Sequence, residues 1–161
     1  MKRNTALYAE FIGTFAMVFC GTAAMAVNET TGDVAHEGVA ITWGLIVMVM
    51  IYAFGSQSGA HFNPAVTTAF ALAKRFPWKK VTPYVITQTV AAVVASVAVK
   101  AIIPKSVIIG ATIPSIPHES AFWLEFLLSF FLMIVILHIS TGSKEIGPVA
   151  GLAVGSVILL E

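Results

Sequence analysis

Apolar residues fall into five long blocks that are separated by short polar stretches. The blocks run over residues 6–27, 39–55, 81–103, 121–140 and 146–160. A helix that crosses about 30 Å of hydrocarbon needs ~20 apolar residues, and ~17 residues is the lower limit. The pattern therefore predicts four complete membrane spans and a fifth block that is short for a crossing.

Composition agrees with a membrane location, since 58% of the 161 residues are hydrophobic and only 11% are charged. An ordinary soluble domain carries about 25% charged residues, so a soluble binding module is excluded. The basic pair Lys2 and Arg3 also resembles the start of a signal peptide. The first block is longer than the apolar core of a removable signal, and this favours a spanning helix.

The Lys and Arg residues predict the orientation of the chain in the membrane. With the N-terminus in the cytoplasm, the inner side holds Lys2, Arg3, Lys74, Arg75, Lys79, Lys80 and Lys144, and the outer side holds Lys100 and Lys105. Cytoplasmic loops of membrane proteins carry such an excess of basic residues. We expect an integral protein of a plasma membrane or bacterial inner membrane, with the basic cluster 74–80 close to anionic lipid and not to nucleic acid.

The segment 56–74 does not fit a simple helical bundle. Its first part is rich in Gly and Ser and cannot continue a helix, whereas Asn63 and Pro64 are favoured residues at a helix start. We therefore predict a helix over 64–74, whose ~16 Å length is about half the thickness of a bilayer. Because both ends of the segment lie on the inner side, it enters the membrane and returns.

In such a re-entrant segment the helix N-terminus points into the membrane, and Asn63 adds amide donors beside its positive end. Irregular backbone at membrane depth must be buried in protein or line a water-filled cavity. The carbonyls of Gly59, Ala60 and His61 would then be acceptors along a polar path. The alternative is an interfacial turn followed by an amphipathic helix on the membrane surface.

The chain also repeats itself about 115 residues further on. The stretch Glu-Phe-Ile-Gly-Thr-Phe at 10–15 pairs with Glu-Phe-Leu-Leu-Ser-Phe at 125–130, and 38–42 pairs with 151–155. With three spans in each half, the second copy enters the membrane from the opposite side, which makes an inverted repeat. The counterpart of Asn63 would fall near position 176, beyond Glu161.

These motifs resemble those of the aquaporin and aquaglyceroporin family. The resemblance rests on Ala-Glu-Phe-Ile-Gly-Thr-Phe at 9–15, on Ser-Gly-Ala-His-Phe-Asn-Pro-Ala-Val-Thr at 58–67 and on the repeat at Glu125. It implies an all-α transmembrane fold, an aquaporin-like inverted-repeat bundle whose two half-helices meet in a pore, with four pores in a homotetramer.

For the 161 residues the resemblance implies one membrane domain, with a first half-repeat over about 1–104 and an incomplete second one over about 118–161. The chain would hold four full spans, one re-entrant half-helix beginning at Pro64 and Ala65, and a truncated fifth span.

The resemblance also implies roles for individual residues. Those that would line the pore are Asn63, Gly59, Ala60, His61 and Trp43, and those that would brace the re-entrant loops are Glu10 and Glu125. Trp43 matches a selectivity-filter position, and a Trp there is similar to glycerol facilitators and the nodulin-like branch, which pass glycerol and undissociated acids such as arsenous acid. The alternative for Trp43 is plain helix packing or a membrane-interface position.

No paired carboxylates, metal-ligand cluster, phosphate loop or nucleophile–base pair stands out, so we expect neither an enzyme nor a bound metal or cofactor. The expected function is a passive channel for small uncharged solutes such as glycerol and water, with membrane lipid around it. The family's second half-helix and its filter cation fall outside the 161 residues. The alternative is a non-conducting membrane subunit or remnant that acts only through helix association.

The predicted orientation is testable by cysteine labelling in a Cys20→Ser background. We expect Asp33→Cys to react with a membrane-impermeant maleimide from outside intact cells, and Lys79→Cys to react only after the inner side is opened, because basic loops stay in the cytoplasm. Labelling of position 79 in intact cells would contradict the orientation.

Overall fold

The computed structural model describes residues 3–140 and 149–160. Its helices are α1 (Arg3–Thr31), α2 (Ala35–Ser58), α3 (Pro64–Leu72), α4 (Val81–Ile102), α5 (His118–Ile139) and α6 (Ala150–Leu160). A single 3₁₀ turn, Trp78–Lys80, leads into α4. These ranges are built from helices and loops without a strand, and the predicted all-α transmembrane fold is confirmed.

In the described ranges four helices are long and apolar enough to cross a membrane: α1, α2, α4 together with its 3₁₀ turn, and α5. Each overlaps one of the first four apolar blocks, and α1, α2 and α5 start before their blocks because polar residues near a helix end still form backbone hydrogen bonds. The fifth block is represented by α6, which begins at Ala150. Its first residues, 146–148, and Lys144 lie outside the described residues.

The helices pack in two groups that are joined through α2. Helix α1 lies against α2 and α4, while α2 also packs along α6, and α5 packs mainly against α6. The contact between α2 and α6 depends on glycine. A Cβ built on Gly44 would lie 2.6 Å from the carbonyl oxygen of Gly155, and a Cβ on Gly155 would lie 2.6 Å from that of Gly44. Small residues allow such close approach between helices in a lipid environment.

The glycine contact predicts a large difference between two Gly→Ala substitutions in the same helix. Gly44→Ala should lower the free energy of unfolding by about 1–3 kcal/mol, because the new methyl group meets backbone atoms that cannot move away. Gly55→Ala adds a methyl group whose nearest neighbour is 4.0 Å away, so it should be neutral or slightly stabilising. Thermal unfolding in detergent measures both, and equal melting temperatures for the two variants would contradict this account.

Candidate functional site

A loop over 59–63 interrupts the chain between α2 and α3. Helix α2 ends at Ser58 because Gly59 adopts the left-handed conformation, with φ of 91°, and its N–H donates to the Gly55 carbonyl at 2.9 Å. Ala60 and Phe62 are also left-handed, each with φ of 50°. A residue with a Cβ pays about 1–2 kcal/mol for that conformation. Neighbouring residues must therefore hold the loop in place.

Helix α3 starts at Pro64, and Asn63 caps it. The Asn63 side-chain oxygen Oδ1 accepts a hydrogen bond from the Ala65 N–H at 2.7 Å. This bond leaves the two amide hydrogens of Asn63 pointing away from the helix. The helix ends at Leu72 and not at Lys74 as predicted, because Lys74 is left-handed and the Arg75 N–H closes the turn on the Phe70 carbonyl.

The carboxylate of Glu10 in α1 holds the loop from the side. It is completely buried, and it accepts hydrogen bonds from the backbone N–H of His61 at 3.0 Å and of Phe62 at 2.8 Å. The Gln88 side chain of α4 donates a third bond at 2.7 Å. A buried carboxylate is costly unless donors surround it. These donors come mainly from the loop itself, so the carboxylate and the loop stabilise each other.

Four further side chains that the sequence analysis did not single out complete this support. Thr14 donates to the Phe62 carbonyl at 3.2 Å, and Tyr84 donates to the Ser58 carbonyl at 2.9 Å. Gln88 also donates to the hydroxyl of Thr67, at 3.0 Å.

The position of Gln88 in the sequence could have indicated its role. It is the sole amide or charged side chain between Lys80 and Lys100 within an otherwise apolar span. Such a residue usually marks a hydrogen bond between helices.

The His61 side chain is buried in an aromatic cluster. Its ring stacks on Phe70 with a centroid distance of 4.7 Å, and it meets Phe76 edge-on at 4.7 Å. Its Nδ1 lies 3.1 Å from the Thr67 hydroxyl.

Three consecutive carbonyl groups of the loop are left open. The flanking carbonyls of Ser58 and Phe62 are occupied by Tyr84 and Thr14. Within the described parts of the chain, no donor reaches the carbonyls of Gly59, Ala60 or His61. The loop thus presents a row of acceptors that ends at the amide hydrogens of Asn63.

The loop borders a cavity of about 120 Å³ whose lining also includes residues of helices α1, α2, α3, α5 and α6. All five loop residues, 59–63, contribute to its lining. The opposite walls are apolar and include Val47 and Ile51 of α2, Leu132 of α5 and Val154 of α6. Among the described residues the cavity therefore has polar backbone groups on the side of the loop, and its other walls are apolar except for Ser140.

Two of the predicted site residues lie apart from this cavity. Trp43 is half-buried and packs flat on Gly21 of α1, where an added Cβ would lie 2.2 Å from the indole ring. It is one helical turn before Val47 on the same face of α2, towards the end opposite the basic cluster. Glu125 is exposed, and in the described ranges its carboxylate braces no loop and has no hydrogen bond.

Comparisons with known proteins agree with this geometry. Residues 1–161 match the profile of the family described as Major intrinsic protein. The chain is 44% identical over 156 residues to Aquaporin NIP1-4 of Oryza sativa subsp. japonica, covering 96% of this chain and 57% of that protein. It is also 44% identical over 163 residues to Aquaporin NIP6-1 of Arabidopsis thaliana, covering 98% and 53%. The chain thus spans about half the length of the curated relatives it matches.

The fold is similar to a solved structure, the aquaglyceroporin from Plasmodium falciparum. The TM-score is 0.82 and the sequence identity is 29%, and the match covers 99% of this chain and 71% of that one.

The burial of Glu10 predicts a strong effect of removing its charge. Glu10→Gln should destabilise the 161-residue chain by about 3 kcal/mol, because an amide has one acceptor oxygen where three buried donors converge. The matched control is Glu125→Gln, the counterpart in the repeat, which is exposed and should change stability by less than about 0.5 kcal/mol. Thermal unfolding in detergent compares them, and similar losses in both variants would contradict the bracing role of Glu10.

Proposed function

Since the chain belongs to the major intrinsic protein family, we propose that the complete protein is a passive channel for small uncharged solutes such as glycerol and water, and that this chain forms one half of its pore. The aquaporins of this family are channels and not enzymes. Undissociated metalloid acids are further candidate solutes. The proposal includes membrane lipid as the surroundings, a cytoplasmic N-terminus and a homotetramer.

The proposal rests on the lining of the cavity, in which backbone carbonyls without a hydrogen-bond donor in the part of the chain that the structure describes lie on one side and apolar side chains on the other. A solute that leaves water must exchange its hydration for other hydrogen bonds. Gly59, Ala60 and His61 offer acceptors and Asn63 offers donors along one side of the cavity. The apolar side accommodates carbon-bound hydrogens, which suits a small polyol.

The same lining disfavours ions. Among the described residues that line the cavity, none is Asp, Glu, Lys or Arg. An ion would lose far more hydration energy than a few neutral dipoles return. The N-terminus of α3 adds a partial positive charge beside Asn63, which opposes cations in particular.

We assign the selection of solutes by size to Trp43. Its position, one turn before the cavity-lining Val47, supports a filter at the predicted outer end of the same path. Indole provides one N–H donor and a broad apolar surface, which suits a solute with hydroxyl groups and a carbon face. This combination supports a glycerol-sized solute in addition to water.

We expect vesicles that contain the complete protein to take up glycerol faster than empty vesicles in stopped-flow light scattering. Trp43→His should lower the ratio of glycerol to water permeability, because it removes apolar surface and adds a polar ring. The control is Trp123→His, since Trp123 is an exposed Trp on α5 and not part of the path. A protein that passes water and excludes every larger neutral solute would overturn the glycerol assignment, and one that passes neither would overturn the channel proposal.

A further inference from the structure

A second carboxylate on α1, Glu29, is engaged with a loop in the same manner as Glu10. Glu29 lies in the last turn of α1, at the end of the bundle opposite the basic cluster 74–80. An anion at the C-terminal end of a helix is disfavoured by the helix dipole. Its presence there therefore requires compensation by donors from another part of the chain.

The compensation comes from the loop between α4 and α5. The Ser106 hydroxyl donates to Glu29 at 2.6 Å, and the Val107 N–H donates at 3.0 Å. The Ile108 N–H lies 3.4 Å from both carboxylate oxygens. Ser106 is completely buried, and its carbonyl accepts a hydrogen bond from Lys100 at 2.7 Å. The start of the loop is thus fastened to α1 and to α4.

From Glu29 the loop runs back along α1. Gly110 packs on Thr22, where an added Cβ would lie 2.7 Å from the Thr22 methyl group. Glu29 and Thr22 are two helical turns apart on one face of α1, which corresponds to about 10 Å along the axis. Thr22 follows Gly21 in the sequence, and the Trp43 ring packs against Gly21. Gly110 of the loop and Trp43 therefore contact α1 at about the same position along its axis.

The next part of the loop, 112–116, lines a surface pocket together with Ala121, Leu124 and Glu125 of α5. The loop thus crosses from α1 to α5, and both helices contribute walls to the solute cavity.

We propose that Glu29 is a positioning residue that holds the loop 104–116 in the outer mouth beside Trp43, and that the loop thereby limits the size of solute that enters. The inference rests on the proposed channel function. Its physical basis is the N–H groups of Val107 and Ile108, which have the carboxylate as acceptor while the loop is in place. Without the carboxylate these two N–H groups form more favourable hydrogen bonds with water than with the protein, so the loop moves away from α1.

Hydrogen–deuterium exchange on the complete protein in nanodiscs tests the fastening independently of any transport. Glu29→Ala should accelerate exchange at Val107 and Ile108 about tenfold, because opening of the loop no longer breaks charge-assisted bonds. Glu29→Gln, which keeps one acceptor oxygen, should give an intermediate rate. The matched control Glu37→Ala removes an exposed carboxylate on the neighbouring helix and should leave the rates unchanged. Equal rates in Glu29→Ala and Glu37→Ala would overturn the proposal.

Uptake of polyols of increasing length into vesicles tests the consequence for size selection. In Glu29→Ala, permeability to four- and five-carbon polyols should rise relative to glycerol, with Glu29→Gln intermediate and Glu37→Ala unchanged. Faster exchange with an unaltered size profile would overturn the role of the loop as a size limit. If the wild-type protein passes no neutral solute while the exchange result holds, the channel function fails and the fastening by Glu29 stands.

Discussion

The buried carboxylate of Glu10 is the interaction on which the rest of the site depends. The loop 59–63 contains left-handed Ala60 and Phe62, so it would not keep this shape by its own preferences. Two adjacent N–H groups bound to one carboxylate fix the peptide planes on both sides of His61. Once those planes are fixed, the carbonyls of Ala60 and His61 point away from Glu10, and Asn63 is placed to begin α3. The peptide that carries the Gly59 carbonyl is held separately, because the Ala60 N–H donates to the Ser58 hydroxyl.

Several features of this arrangement could be predicted from preferences that act within a few residues or a single span. The start of α3 followed from Asn63 and Pro64, because capping preferences act within a few residues. The first four spans followed from hydropathy, since the bilayer leaves few alternatives to a helix. Glu10 and its partner, the re-entrant loop, were identified through the family resemblance and the repeat, whereas its third donor, Gln88, was not identified.

Most of the remaining features depend on contacts between distant parts of the chain, and the end of α3 depends on the backbone conformation of Lys74. Gln88 meets Glu10 across two helices, a pairing that a single sequence does not specify. The early end of α3 arises because Lys74 accepts a left-handed conformation that its residue type does not favour. Periodicity along α2 could not show that Trp43 rests on Gly21 outside the cavity. The engagement of Glu29 was missed because its partners lie in a loop without a motif.

The glycine contact between α2 and α6 has a consequence for biosynthesis. Chains are made from the N-terminus, so Gly44 and the loop 59–63 leave the ribosome well before Gly155 exists. Until α6 is inserted, the open carbonyls of the loop lack one wall of their cavity and need water or another protein beside them. A ribosome that pauses between the synthesis of α2 and that of α6 would therefore prolong the time for which these carbonyls lack that wall.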